Sequence, residues 1–312
     1  MIVRRMLSLL FAVVLTAIAF PLLFAGGLSR YRQVTQFSAG APLDPVPVLL
    51  VSLALLLLAA SAATIALSSL GVIVVGSVHL AWGLLGVVLP FDPFGGGFTN
   101  PIVVFTDALR DVWPDLSDGM FYFVPTGFGI AFGAVLLTAG MLARRRRAAG
   151  RAAGRLVTTV TTAAASTAGV ALVLVGGSLV FDTQLRLFTG EVQVGGVLLL
   201  MTEALLLSVA AAGVRWSGLG AIVTGALLMI AAVVLVVEPF GLVRATRDLG
   251  RELSAGLQIA APIGNLGVIG AALLGAGVGA AIRARRARPE PPIEWPATGP
   301  VVTAVDQSRA NA

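Results

Sequence analysis

The chain has 312 residues, of which 57% are hydrophobic and 12% charged. Soluble domains carry about 25% charged residues, so a soluble globule is excluded: it could not hide this much apolar surface. There is no cysteine, which excludes disulfides, thiolate metal sites and cysteine nucleophiles. The net charge of +6 comes from arginines clustered beside apolar runs, with no lysine, so it reads as membrane topology and not as nucleic-acid binding.

A membrane span needs about 20 mostly apolar residues. Eight stretches qualify: residues 6–27, 46–66, 69–91, 119–142, 156–181, 193–214, 217–238 and 259–282. The first begins with Arg4-Arg5 like a secretory leader. Its core is too long for one, and Leu23-Phe24-Ala25 is a poor cleavage site, so it is expected to remain as a helix. Residues 46–91 form one apolar run, long enough to cross twice. The expected turn is Ser68-Ser69-Leu70-Gly71, with Ser217-Gly218-Leu219-Gly220 as its counterpart.

Eight spans put Arg4-Arg5, Arg144–Arg147 with Arg151 and Arg155, and Arg283, Arg285, Arg286 and Arg288 on one side. By the positive-inside rule that side is cytoplasmic, and both termini lie there. The opposite loops hold most of the carboxylates. Abundant Ala, Gly and Val, with arginine as the only strong base, point to a GC-rich bacterial genome and hence to the inner (plasma) membrane.

The chain repeats itself. Residues 48–91 align without a gap on residues 197–240, offset by 149, with 18 identities in 44 positions. The aligned Ser, Gly and Pro residues exceed what apolar composition alone would match. Pro125, Gly127, Gly133 and Gly140 recur as Pro262, Gly264, Gly270 and Gly277, offset by 137. The expected fold is therefore all-α, a tandem parallel duplication of a four-helix unit. Residues 1–143 form the first unit, 144–155 a basic cytoplasmic linker, 156–284 the second unit and 285–312 a disordered Pro-rich tail. In lipid, small residues let helices approach closely. Gly129, Gly133, Gly140, Gly270, Gly275 and Gly279 are the expected packing positions. Pro125 and Pro262 are expected in the first turns of the fourth and eighth spans, where a missing N–H is tolerated.

Asn100-Pro101 opens a stretch with the signature of a capped helix start. Residues 102–113 are expected to form a short amphipathic helix at the outer interface, with residues 242–253 as its counterpart. Asp107 and Asp111 would share a face there, more in keeping with a solvated surface than with a cation site. Gly95-Gly96-Gly97 follows no strand and has no lysine, so it is no phosphate loop.

Two ionisable residues fall mid-span, His79 in the third and Glu203 in the sixth. Both lie ten to twelve residues from the outer end of their span, so they are expected at one depth and form a candidate intramembrane polar pair. The repeat aligns His79 with Leu228 and Glu203 with Ala54, so each unit carries one polar residue that the other lacks. Separate local satisfaction, a structural pair and a proton or ion relay all agree with this pattern. No catalytic constellation, cofactor motif or metal cluster is evident. The expected role is non-enzymatic: assembly or scaffolding with a membrane-protein partner or a second copy. The alternative is a small secondary transporter whose path runs between the units past His79 and Glu203.

Overall fold

The computed structural model describes residues 2–36, 44–89, 101–143, 152–183, 192–238, 248 and 250–286. The expected linker up to residue 151, the tail from 287 and Gly95–Gly97 lie outside them, as does most of the 242–253 helix. The described residues form eleven α-helices and no strand: α1 (Ile2–Gln36), α2 (Pro45–Ala63), α3 (Ser69–Val88), α4 (Pro101–Arg110), α5 (Pro114–Phe123), α6 (Phe128–Leu142), α7 (Ala152–Phe181), α8 (Val194–Ala212), α9 (Gly218–Val237), α10 (Arg251–Ile263) and α11 (Asn265–Arg286). Helix α7 takes in the last four residues of the expected linker, and α11 the first two of the expected tail.

Seven of these helices are long and apolar enough to cross a membrane: α1, α2, α3, α7, α8, α9 and α11. An eighth crossing exists if α5 and α6, bent by 78° at their junction, count together as one. The arrangement is compatible with a multi-pass membrane protein. At 1.5 Å per residue the 19 residues of α2 span about 28 Å, close to the thickness of a bilayer core.

Local chemistry sets the helix starts. Asp44 accepts from the Val46 N–H at 3.0 Å, with Pro45 in the first turn. Ser68 accepts from Leu70 N–H and Ser217 from Leu219 N–H, both at 3.3 Å. These serines are N-caps, and each follows a short 3₁₀ turn, Thr64–Ala66 and Gly213–Arg215. The chain therefore turns where the serine–glycine stretches predict. The amphipathic helix expected at 102–113 is α4, which buries Ile102, Val103 and Thr106.

The fourth and eighth spans differ from expectation. The fourth is bent between α5 and α6, and the eighth begins only at α11, its expected first residues belonging to α10. Residues 124–127 separate α5 from α6, and Gly264 separates α10 from α11. Gly127 (φ +81°) and Gly264 (φ +78°) take the left-handed conformation that only glycine adopts readily. Pro125 consequently sits in the break, and Pro262 near the end of α10, rather than in the first turns of α6 and α11.

Helices α6 and α11 lie side by side at the centre. Helix α6 is flanked by α3 and α8, and α11 by α9 and α2. Helix α1 packs on α2 and α3, and α7 on α8 and α9, so these close the outside. Centrality follows from side-chain size. Helix α11 has Gly or Ala at most of its buried positions and is buried on nearly every side. The outer helices are apolar all round. Helix α2 buries Val51, Leu55 and Leu58 and exposes Leu49, Leu53 and Leu56, as a span between protein and lipid must.

Polar contacts tie α1 to α2 and α9. Thr16 Oγ1 donates to Ala12 O at 2.7 Å and lies 2.9 Å from Ser61 Oγ, joining α1 to α2. Arg30 donates through Nε to Val236 O and through Nη2 to Val237 O, both at 2.8 Å, and so caps the C-terminus of α9 from α1.

Candidate functional site

Glu203 lies on α8, nine residues after its first residue Val194. That is about 14 Å along the helix. The buried face of α8 runs through Leu200, Glu203 and Leu207. Leu200 packs on Gly127, the left-handed glycine at the α5–α6 break. Glu203 is one turn deeper on the same face, with its carbonyl beside Gly169 of α7. Its side chain is 0% exposed. Neither carboxyl oxygen has a hydrogen-bond partner among the described residues.

His79 lies on α3, nine residues before its last residue Val88. Its carbonyl oxygen is 3.6 Å from where a Cβ on Gly129 would sit, on the flank of α6 that faces α3. His79 thus lies against the start of α6 from α3, and Glu203 lies on α8 one turn beyond the residue that packs on Gly127. Their side chains meet different neighbours. The His79 Nδ1 is 2.9 Å from Val75 O in the preceding turn. Its ring stacks on Phe20 (4.9 Å, 23°) and meets Phe132 edge-on (5.1 Å, 79°). Phe20 in turn contacts Phe24 and Phe123. No hydrogen bond joins His79 to Glu203 among the described residues.

The expected glycines have definite neighbours. A methyl group on Gly133 would overlap the backbone of Leu80, and one on Gly140 would press on Ile73. On α11, Gly270 meets the backbone of Gly225 and Met229, Gly275 the carbonyl of Ala59, and Gly279 Ile65 and the Ala63 carbonyl. Gly129 is looser, with nothing nearer than 3.5 Å to an added Cβ.

Three of the exposed aspartates are ion-paired. Arg32 bridges Asp115 at 3.1 Å and Asp118 at 3.2 Å, and Arg110 bridges Asp107 at 3.3 Å. All are solvent-exposed pairs of small energetic weight. No group of three His, Asp or Glu residues is placed to hold a metal ion among the described residues.

Two features of the interior escape a search for ionisable groups. Asn265, at the first position of α11, is fully buried, and neither end of its amide finds a partner among the described residues. It carries no charge; the available signal is an amide inside an apolar run. The second is Thr138, whose hydroxyl donates to Ser208 Oγ at 3.1 Å, linking α6 to α8 five residues beyond Glu203. The chain matches no protein-family model, and no match was found among curated proteins or solved structures.

Proposed function

We propose that the chain is a bacterial inner-membrane protein made by duplicating a four-span unit, with both termini cytoplasmic, and that it works as a small proton-linked permease centred on Glu203. Duplication accounts for contacts that recur in pairs. Gly26 and Gly27 correspond to Gly176 and Gly177 at a spacing of 150. Gly27 packs on Ile263 and Gly177 on Thr126, and those two partners are related by the offset of 137. Gly127 packs on Leu200 and Gly264 on Val51, again matched partners. Gly275 rests on Ala59 where, in the other unit, Thr138 bonds to Ser208. Two copies facing each other across an axis make every cross-contact twice. Parallel repeats in transporters are related this way, with substrate sites at mid-membrane where the repeats meet.

The observation that carries the permease reading is the buried carboxyl of Glu203, which has no hydrogen-bond partner among the described residues. A charge at mid-bilayer costs roughly 2.5–3.5 kcal/mol on insertion scales, and such residues mark proton and substrate pathways. Glu203 lies where α8 of one unit meets α6 of the other, next to a helix broken at Gly127. Discontinuous helices are the usual walls of transporter sites. A carboxyl that takes a proton from one side and releases it to the other couples the movement of the two units to proton flow. His79 is already engaged by Val75 and its phenylalanines, so the proton-handling role falls to Glu203 alone. The role assigned is transport, not catalysis.

Protein reconstituted in liposomes should move protons or a solute down an imposed pH gradient. Glu203→Gln should stop that movement while leaving the fold intact. Absence of flux from the unaltered protein, or equal flux from the variant, contradicts the reading.

Assembly with a membrane partner is the second reading. It is favoured by α4 and the turn after it, which leave Val104, Phe105, Val112 and Trp113 exposed. It expects a stoichiometric co-purifying protein that is lost on deleting residues 101–113. Retention of that protein after the deletion would count against it.

A further inference from the structure

At the end of the bundle that carries the start of α1 and the end of α11 there is a cavity of about 520 Å³. Arg4 and Arg5 of α1, Arg283 of α11, and Ser68, Ser69 and Leu70 at the start of α3 line it. Among the described residues, no acidic one lines it. The positive charge of the three arginines is therefore not offset by those residues.

The walls are built and held. Arg4 donates through Nη2 to Ala66 O at 3.0 Å, which fixes its guanidinium over the turn before α3. Ser8 donates to Ser68 O at 2.8 Å, tying the same turn to α1. A methyl on Gly71 would overlap the Ser8 backbone, so α1 and α3 touch just below the cavity. Arg283 also lines the cavity, while its Nη1 is shielded from solvent and has no hydrogen-bond partner among the described residues. The α3 N-terminus adds the positive end of a 20-residue helix.

We infer that this cavity is a binding site for a phosphate group, and specifically for the phosphate of an anionic lipid headgroup. Arginine forks suit phosphate oxygens because two parallel N–H groups match two oxygens. The lipid source follows from position. The cavity opens at the ends of apolar spans, and Leu67 and Leu70 form its apolar wall. The adjoining face of α1 exposes Ile2, Val3, Met6, Leu7 and Leu10, a surface on which acyl chains can lie. Basic pockets between spans are a recognised mode of anionic-lipid capture.

The test uses full-length protein in neutral detergent, titrated with short-chain phosphatidylglycerol, short-chain phosphatidylcholine and inorganic phosphate. Phosphatidylglycerol should bind with the highest affinity. In Arg5→Gln/Arg283→Gln its affinity should fall about tenfold or more, since each arginine near an anionic headgroup carries a sizeable share of the attraction. Arg5 is exposed and only rims the cavity, so Arg5→Gln alone keeps the fold and should still weaken binding several-fold. Binding of inorganic phosphate at least as tight as that of phosphatidylglycerol, lost in the same variants, would keep the phosphate site and assign it a soluble ligand. Phosphatidylglycerol binding unchanged in both variants would overturn the inference. So would phosphatidylglycerol that binds no better than phosphatidylcholine while phosphate is silent.

Discussion

Arg30 shows how one side chain ties distant segments together. It reaches from α1 to the last carbonyls of α9, two hundred residues away in sequence, through two bonds of 2.8 Å. Carbonyls at a helix end have no partner within the helix, and a cation there also meets the negative end of the dipole. Arg30→Met removes both bonds and should cost about 2 kcal/mol, the scale of hydrogen bonds to a charged group. Thermal unfolding in detergent should show a lowered midpoint; an unchanged midpoint would mean water caps these carbonyls equally well. The site was legible at this scale only in part. Glu203 stands out because an acid inside an apolar run is rare and costly in lipid. Its lack of a partner, and the separate engagement of His79 by Val75 and Phe20, depend on which helix flanks meet. Hydropathy carries no record of that. Asn265 went unseen because an uncharged amide barely changes the mean of its window.

At the scale of elements, the six packing glycines make distinct predictions. Gly275→Ala places a methyl group against the carbonyl of Ala59 at less than contact distance. Helix α11 must then shift from α2, at a cost of roughly 1–3 kcal/mol, the usual range for overpacking. Gly129→Ala has 3.5 Å of room and should be neutral or slightly stabilising, because alanine favours the helix by about 1 kcal/mol. Chemical denaturation of the two variants side by side checks this, and equal effects would refute the packing assignment. The spans themselves were plain from hydropathy, because lipid demands about 20 apolar residues in a row. The turns before α3 and α9 were plain from Ser68 and Ser217, whose hydroxyls cap the next helix. The breaks at Gly127 and Gly264 were not. A proline followed two residues later by glycine reads equally well as a helix start. What decides is the left-handed backbone, which lets Leu200 and Val51 press against the bend.

On the scale of the whole molecule, the proposed duplication makes two similar bundles that exchange partners. Helix α6 belongs by sequence to the first unit and packs on α8 of the second, while α11 of the second packs on α2 of the first. The asymmetries sit inside this frame. Glu203 stands opposite Ala54 in the alignment of the units and His79 opposite Leu228, and the positions aligned with Phe20, Phe24 and Phe132 are Val170, Leu174 and Ile269. Thr16 bonds to Ser61, whereas Ser166, its counterpart, is buried with no hydroxyl partner among the described residues because Ala210 stands where Ser61 would. On the proposed reading, duplication let one copy keep a structural network while the other carries the acid assigned to proton handling. All of this requires both units to thread the bilayer in the same direction, so that α1 and α7 end on one side. The absence of cysteine makes a direct measurement clean: single cysteines at Thr35 and Leu187, labelled on intact cells with a membrane-impermeant maleimide. The account predicts that both react from the outside, while a cysteine at Ala149 reacts only after permeabilisation. Labelling of positions 35 and 187 from opposite sides would contradict it.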